Sequence, residues 1–410
     1  VSAHAMSQPC YSFFRPIVAA NRNWVAFDWQ CTQAQAIDGE LLARWRAQTC
    51  LSELVRLLPM LAIADAPAAD DTALLNDPLA EHIVLALPAA TLDNAAALAR
   101  FSTLRRQGRH FALRVDDRKL LGEVPYAFDH LWIDAALARQ EFSASDFAFI
   151  DESGLQLIAS GVDSHEMFGW LADKGFAWCG SRFLSTHNPL NAREPDLVRL
   201  KLLKLLNLVR QDGDTRELEE IFRQEPKLSY NLLRLVNSVA LGSGTKITNF
   251  AQAITMLGRR QLQRWLQMLV YADHLADGIT PNPLMQLAAR RARQMELLSA
   301  TLATQSSDAE FTDNAFMAGL FSLLEVLINL PTKEIIKEIP IHDAAADALI
   351  NHGRGGILGQ LLSGVIAGEH GDFHKAEKTL RGLGIDADTY ASAQLAALHW
   401  AVNINIDLNG

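Results

Sequence analysis

The 410-residue sequence predicts a parallel α/β half followed by an all-helical half. Short apolar runs of strand length alternate with helical patterns as far as about residue 185. A break of prolines and small polar residues follows, and beyond it apolar residues recur at helical spacing. Length agrees with two domains, because a single core rarely grows past roughly 250 residues.

Strand-like runs in the first half are "FFRPIVAA" (Phe13–Ala20), "HIVLALP" (His82–Pro88), "HFALRVD" (His110–Asp116), "HLWIDAA" (His130–Ala136) and "LQLIASGV" (Leu155–Val162). Between the second and third, Asp93–Gly108 carries Leu98, Phe101 and Leu104 at helical spacing and stops at Gly108. In "DSHEMFGWLADKG" (Asp163–Gly175), Ser164 is placed to cap a helix that ends at Gly175. Strand, helix and strand at this spacing make βαβ units and a parallel sheet. "LIASGVDS" (Leu157–Ser164) looks like the carboxyl end of a barrel strand, where enzymes of that shape keep reactive side chains. The break "STHNPLNAREPD" (Ser185–Asp196) sets the domains at residues 1–188 and 196–410. After it, Pro195–Gly213 is a Leu-rich helix whose wide apolar face suits core packing better than a membrane surface. Thr248–Leu275 reads as a capped helix, an interruption at Gly258, and a second helix.

Composition removes several function classes. Hydrophobic residues at 49% and charged residues at 20% describe an ordered globular chain. No run approaches the ~20 apolar residues of a membrane span, and the N-terminal residues lack a secretory pattern. Cys10, Cys31, Cys50 and Cys179 show neither metal nor disulfide spacing, which predicts reduced thiols and a cytoplasmic location. A net charge of −10, with neither half basic, argues against general nucleic-acid affinity.

Four stretches of the second half resemble the HDOD domain, a helical relative of the HD phosphohydrolases. They are Glu225–Ser238, Lys246–Leu266, Ala315–Pro331 and Leu398–Asn405. The first half resembles the EAL domain, a barrel family that hydrolyses cyclic di-GMP, through Arg15–Gln30, Leu104–Asp117, "LWIDAA" and "LIASGVDSHEMFGWLADKGFAWCGSRF". The resemblance implies an incomplete or degenerate TIM-like (β/α) barrel followed by an all-helical HDOD domain. Only about twenty residues separate Asp134 from "LIASGV", too few for a helix and another strand, so an incomplete or distorted barrel is expected. Its open strand edge would need cover, and the helical half is the nearest candidate.

The resemblance also implies where two divalent metals would sit, and hydrolysis of this type needs several oxygen donors converging on them. The signature Glu-Ala-Leu falls on Asp28-Trp29-Gln30, and the glutamine before Pro-Ile is Arg15. The next glutamate falls on Ala86, and the paired aspartates fall on Arg114 and Val115, with Asp116 and Asp117 just beyond. The general-base lysine falls on Trp132, with Asp134 kept. The Ala-Glu-Gly-Val-Glu pattern reads Ala159-Ser160-Gly161-Val162-Asp163, and a glutamine falls on Cys179. Donor count and charge both fail, and Arg114 is expected as a cation in the former metal site. In the helical half the His-Asp dyad position reads Ser322-Leu323. The literal His342-Asp343 begins another helix, with Asp343 as its cap. His352, His370 and His374 lie near glycines as loop histidines.

Arg259, Arg260 and Arg264 follow a helix-turn-helix rhythm with "RRAR" (Arg290–Arg293) nearby, but Leu262, Trp265, Leu266 and Leu269 take the recognition face. Those three arginines are assigned as speculative protein-contact residues in preference to DNA contacts. The expectation is therefore a non-catalytic, cytoplasmic signalling scaffold related to cyclic di-GMP signalling. It acts by binding proteins of a signalling pathway, needs no cofactor or metal, and binds neither DNA nor cyclic di-GMP. Homodimerisation stays open. The alternatives are a cyclic di-GMP receptor that does not hydrolyse, and a metal-dependent phosphohydrolase.

Overall fold

The computed structural model describes residues 10–32, 36–187, 203, 206, 283–302, 309–338, 341–351, 354 and 356–406. Eight strands run β1 (Ser12–Val18), β2 (Trp24–Cys31), β3 (Met60–Ile63), β4 (Ile83–Leu87), β5 (His110–Val115), β6 (His130–Asp134), β7 (Gln156–Ser160) and β8 (Phe176–Gly180). They pair in chain order, and β8 returns to β1 to close a barrel.

The expected missing unit is not missing. β1 and β2 form an antiparallel hairpin around the turn Ala19–Asn23, where Arg22 takes a left-handed φ of 67°. A hairpin needs no crossover helix, so two strands fit where a parallel unit would supply one. The residues after Asp134 hold helices rather than a further strand. The barrel is TIM-like in closure, and its irregularity lies in β1, antiparallel to both neighbours.

Inside, Ile17, Ala26, Leu61, Val84, Ala86, Ala112, Trp132 and Ile158 form one cluster. Small Ala side chains on three strands make room for the Trp132 indole, as close packing of a filled barrel requires. Around the strands lie α1 (Gly39–Gln48), α2 (Leu51–Leu57), α3 (Thr72–Leu75), α4 (Ala95–Arg106), α5 (Ala135–Glu141), α6 (Ala144–Glu152) and α7 (His165–Asp173). Caps set their starts: Asn94 accepts from Ala97 N at 3.0 Å, and Ser164 from Met167 N at 3.1 Å. β5 reaches β6 through a 3₁₀ turn alone, Arg118–Glu123.

β8 pairs with β1 only at Ile17 and Val18. The earlier half of β1 would therefore present buried backbone groups with no strand beside them. Gln394 takes both: Phe14 N donates to its Oε1 at 3.1 Å, and its Nε2 donates to Ser12 O at 2.7 Å. Gln394 is 1% exposed. Around it, Phe13 stacks on Phe373 at 4.4 Å and meets Tyr390 edge-on at 5.5 Å. The Tyr11 hydroxyl donates to Ile385 O. At the other end of the barrel, Asp129 accepts from Arg105 Nε at 2.6 Å and from Phe111 N at 3.1 Å, joining α4 to β5.

The chain divides into two compact units, and the division does not follow a single boundary. One contains Val1–Thr186 with Gly364–His399, the other His187–Ser363 with Trp400–Gly410. The helices Phe373–Gly382 and, up to His399, Ala387–Ile406 thus belong with the barrel, because Gln394 and the aromatic contacts of β1 hold them there. In the second unit the helices Pro283–Leu302 and Ala309–Phe321 meet so closely that a Cβ on Gly319 would lie 2.7 Å from Ala292 Cα. Asp343, expected as a cap, is instead the first helical residue. The cap is His342, whose Nδ1 accepts from Ala344 N at 3.2 Å. Among the described residues only Glu310–Ile328 is long and apolar enough to cross a membrane, and 56% of that window is buried, as in a core helix.

Two outcomes follow. Gln394→Leu strands two buried backbone groups and should lower stability by about 2–4 kcal/mol. It should also speed amide exchange at Phe14, as read by urea unfolding and hydrogen exchange of the full chain. Asp129 is held down to about 2 against its burial, by His110, the Phe111 amide and Arg105. A depressed carboxyl stabilises the fold above its ordinary value near 3.8 and loses that contribution as pH falls through the folded value. Asp129→Asn should thus cost roughly 2 kcal/mol at pH 7 and progressively less as pH falls through about 2, in paired unfolding curves.

Candidate functional site

The carboxyl ends of the parallel strands surround a cavity of about 170 Å³ lined by Arg15, Asp28, Trp132, Ser160, Gly161 and Asp163, among others. Glu369 and His370, at the end of the helix Gly356–Glu369 and just after it, also line it. His370 Nε2 lies 3.1 Å from Ser185 Oγ.

Asp28 stands where the resemblance puts the first metal ligand, and both its oxygens are occupied. Arg15 Nε donates to Oδ1 at 3.1 Å and Arg15 Nη2 to Oδ2 at 2.5 Å, while Gln30 Nε2 adds a bond to Oδ2 at 3.0 Å. The pairing comes from hairpin register, which sets Arg15 directly opposite Asp28. Asp28 is 7% exposed, so its charge is balanced by the guanidinium rather than by water. The Arg15 guanidinium also lies 5.3 Å from the centre of the Phe373 ring. Gly371 comes close enough that a Cβ there would sit 3.1 Å from Arg15 Nη1.

The remaining positions disperse. Arg114, expected as the cation of the metal site, is exposed beside the Trp132 ring, 5.9 Å from its centre, and does not line the cavity. Arg15 holds that place, because the side chain opposite Asp28 faces inward. Ala86 is buried in the barrel core, and Val115, next after Arg114, is buried on the opposite face of β5. Asp116 is exposed, and Asp117 accepts from Lys119 N at 2.9 Å to start the 3₁₀ turn. Asp134 caps α5, accepting from Ala136 N at 2.9 Å. Asp163 pairs with Arg182 at 3.1 Å. Cys179 is fully buried, and burial pushes its thiol up to about 12, so it is inert. Among the described residues no three His, Cys, Asp or Glu side chains converge as a metal site. The donors present at this mouth do not fit a divalent pair.

At the helical dyad position, Ser322 accepts from Arg291 Nη1 at 2.7 Å and donates to Gly319 O at 2.6 Å, while Leu323 is buried. Arg290 and Arg291 are 1% and 2% exposed, so they are core residues and not a surface stripe. Arg259, Arg260 and Arg264 lie outside the described residues, as does His352. His374 is exposed. Sequence reasoning missed the roles of Gln30, Phe373 and Gln394. No local pattern marks the last two, which act on residues hundreds of positions away.

Gly161 has φ +66°, and a Cβ there would fall 2.5 Å from Asp134 Oδ2. Gly161→Ala should destabilise the chain by about 1–3 kcal/mol. Pairing it with Asp134→Ser should restore part of that loss in thermal unfolding.

Comparison with known proteins adds sequence relatives. The HDOD domain family matches residues 195–334. Cyclic di-GMP phosphodiesterase CdgJ of Vibrio cholerae is 26% identical over 251 residues, 61% of this chain and 56% of that protein. The chain thus matches little more than half the length of CdgJ. The uncharacterized protein YuxH of Bacillus subtilis is 23% identical over 317 residues, 75% of each chain. Among solved structures, Klebsiella pneumoniae BlrP1 in its manganese and cyclic di-GMP complex aligns with a TM-score of 0.32 and 16% identity, over 44% of this chain and 56% of that one. The FimX EAL domain from Pseudomonas aeruginosa bound to c-di-GMP gives 0.31 and 13%, over 43% and 90%.

Proposed function

We propose that this chain is a non-catalytic regulatory protein of cyclic di-GMP signalling that acts by binding other proteins from the cytoplasm. The observation that carries the reading is the closed pair at the barrel mouth: Arg15 and Gln30 take both oxygens of Asp28. A metal there would have to displace a partly buried, bidentate guanidinium and then find other donors, and the neighbouring strands offer Ala86, Trp132 and Ser160 instead. The HDOD match and the likeness to CdgJ support the link to this signalling system. CdgJ is named a phosphodiesterase; this chain has an arginine and an aspartate locked together where such chemistry would need open oxygen donors. The degenerate EAL-like barrel serves as a surface on this reading, and Arg259, Arg260 and Arg264 stay the proposed protein-contact residues of the helical half.

The mouth cavity of about 170 Å³ falls below the roughly 300–1,000 Å³ of small-molecule sites. That size disfavours a cyclic di-GMP receptor, which would also need Arg15 to leave Asp28 for a phosphate. The full chain incubated with cyclic di-GMP and Mg²⁺ or Mn²⁺ should give no linear product above the protein-free rate. Calorimetric titration should give no binding of micromolar strength. Turnover lost on Asp28→Asn would establish hydrolysis instead, and micromolar binding without turnover would establish the receptor.

A further inference from the structure

A second and larger cavity opens at the opposite end of the barrel, around the amino ends of β3 to β7. Its volume is about 430 Å³, within the range of small-molecule sites. Apolar surface from Val55, Pro59 and Val84 makes part of the wall. The Trp178 indole makes another part, with the His130 ring 5.3 Å away and tilted 36° from it. His130 is 6% exposed, and its Nδ1 has no hydrogen-bond partner.

Charge on the rim is unevenly committed. Asp129 is held by Arg105 at 2.6 Å and faces His110 Nδ1 at 3.6 Å, and Glu81 faces His82 at 3.6 Å. Arg56 lines the same cavity, is exposed, and has no ion pair among the described residues. Asp129 is therefore committed to Arg105, Glu81 meets only an imidazole from the solvent side, and the Arg56 guanidinium remains for an outside anion.

We propose that this cavity binds a small planar organic anion of the aromatic carboxylate class. Its ring packs against Trp178 and His130, and its carboxylate pairs with Arg56. The site is distinct from the mouth, and the inference does not depend on the function proposed above. A planar body suits the flat indole wall, and a fork-shaped carboxylate matches a guanidinium.

The test is calorimetric titration of the full chain with sodium benzoate at pH 7, with cyclohexanecarboxylate as the non-planar counterpart. Benzoate should saturate one site with millimolar-order affinity, and the saturated ring should bind several-fold more weakly. Arg56→Gln, a surface change, should weaken benzoate about tenfold. Val84→Phe, which fills the cavity, should abolish binding in protein whose thermal unfolding remains cooperative. No saturation below about 20 mM would overturn the proposal, as would unchanged affinity in Arg56→Gln. Should Val84→Phe not fold, the Arg56→Gln result decides alone.

Discussion

A buried strand cannot leave its backbone groups unpaired, and the early half of β1 lies beyond the reach of β8. Everything at the mouth of the barrel depends on how that half-strand is satisfied. One glutamine side chain imitates a neighbouring strand, offering an acceptor to Phe14 and a donor to Ser12. Once Gln394 is in place, Tyr390 and Phe373 come to lie on Phe13, and the stretch before them brings Glu369 and His370 to the cavity rim. The segment that satisfies the edge is thus also the one that roofs the mouth.

Electrostatics completes the same design. A lone carboxylate at 7% exposure would be costly to hold out of water, and a partly buried guanidinium beside it needs a partner too. Together they are neutral, and the Phe373 ring face lies against the guanidinium. A mouth built this way holds its shape without any ion. The opposite end is organised differently, with Asp129 as the shared acceptor of a network on the barrel rim and a buried neutral imidazole, its protonation suppressed by burial, beside it.

Much of this was legible in the residues. The strand runs at Phe13–Ala20, His82–Pro88, His110–Asp116, His130–Ala136 and Leu155–Val162 all contain strands, and Ser164 caps α7. What escaped was set by pairing. "IVAANRNWVAF" is a hairpin with turn residues between two apolar runs; taken as one, it puts Arg15 opposite Asp28 and supplies the strand that closes the barrel. Without it, Arg114 is the natural candidate for the cation of the mouth. Asp343 escaped for a local reason, since His342 offers a ring nitrogen one residue earlier. The burial of Arg290 and Arg291 escaped because a four-residue basic cluster reads as surface unless its helix face is known.

The reliance of β1 on Gln394 also orders events at the ribosome. The residue that completes β1 is made some 380 positions after it. At about 5–20 residues per second that is an interval of roughly 20 s to more than a minute. Throughout it the nascent barrel carries an unfinished rim, and a chain cut after the last strand would carry one permanently. For this polypeptide, β1 becomes whole only once Gln394 has been made.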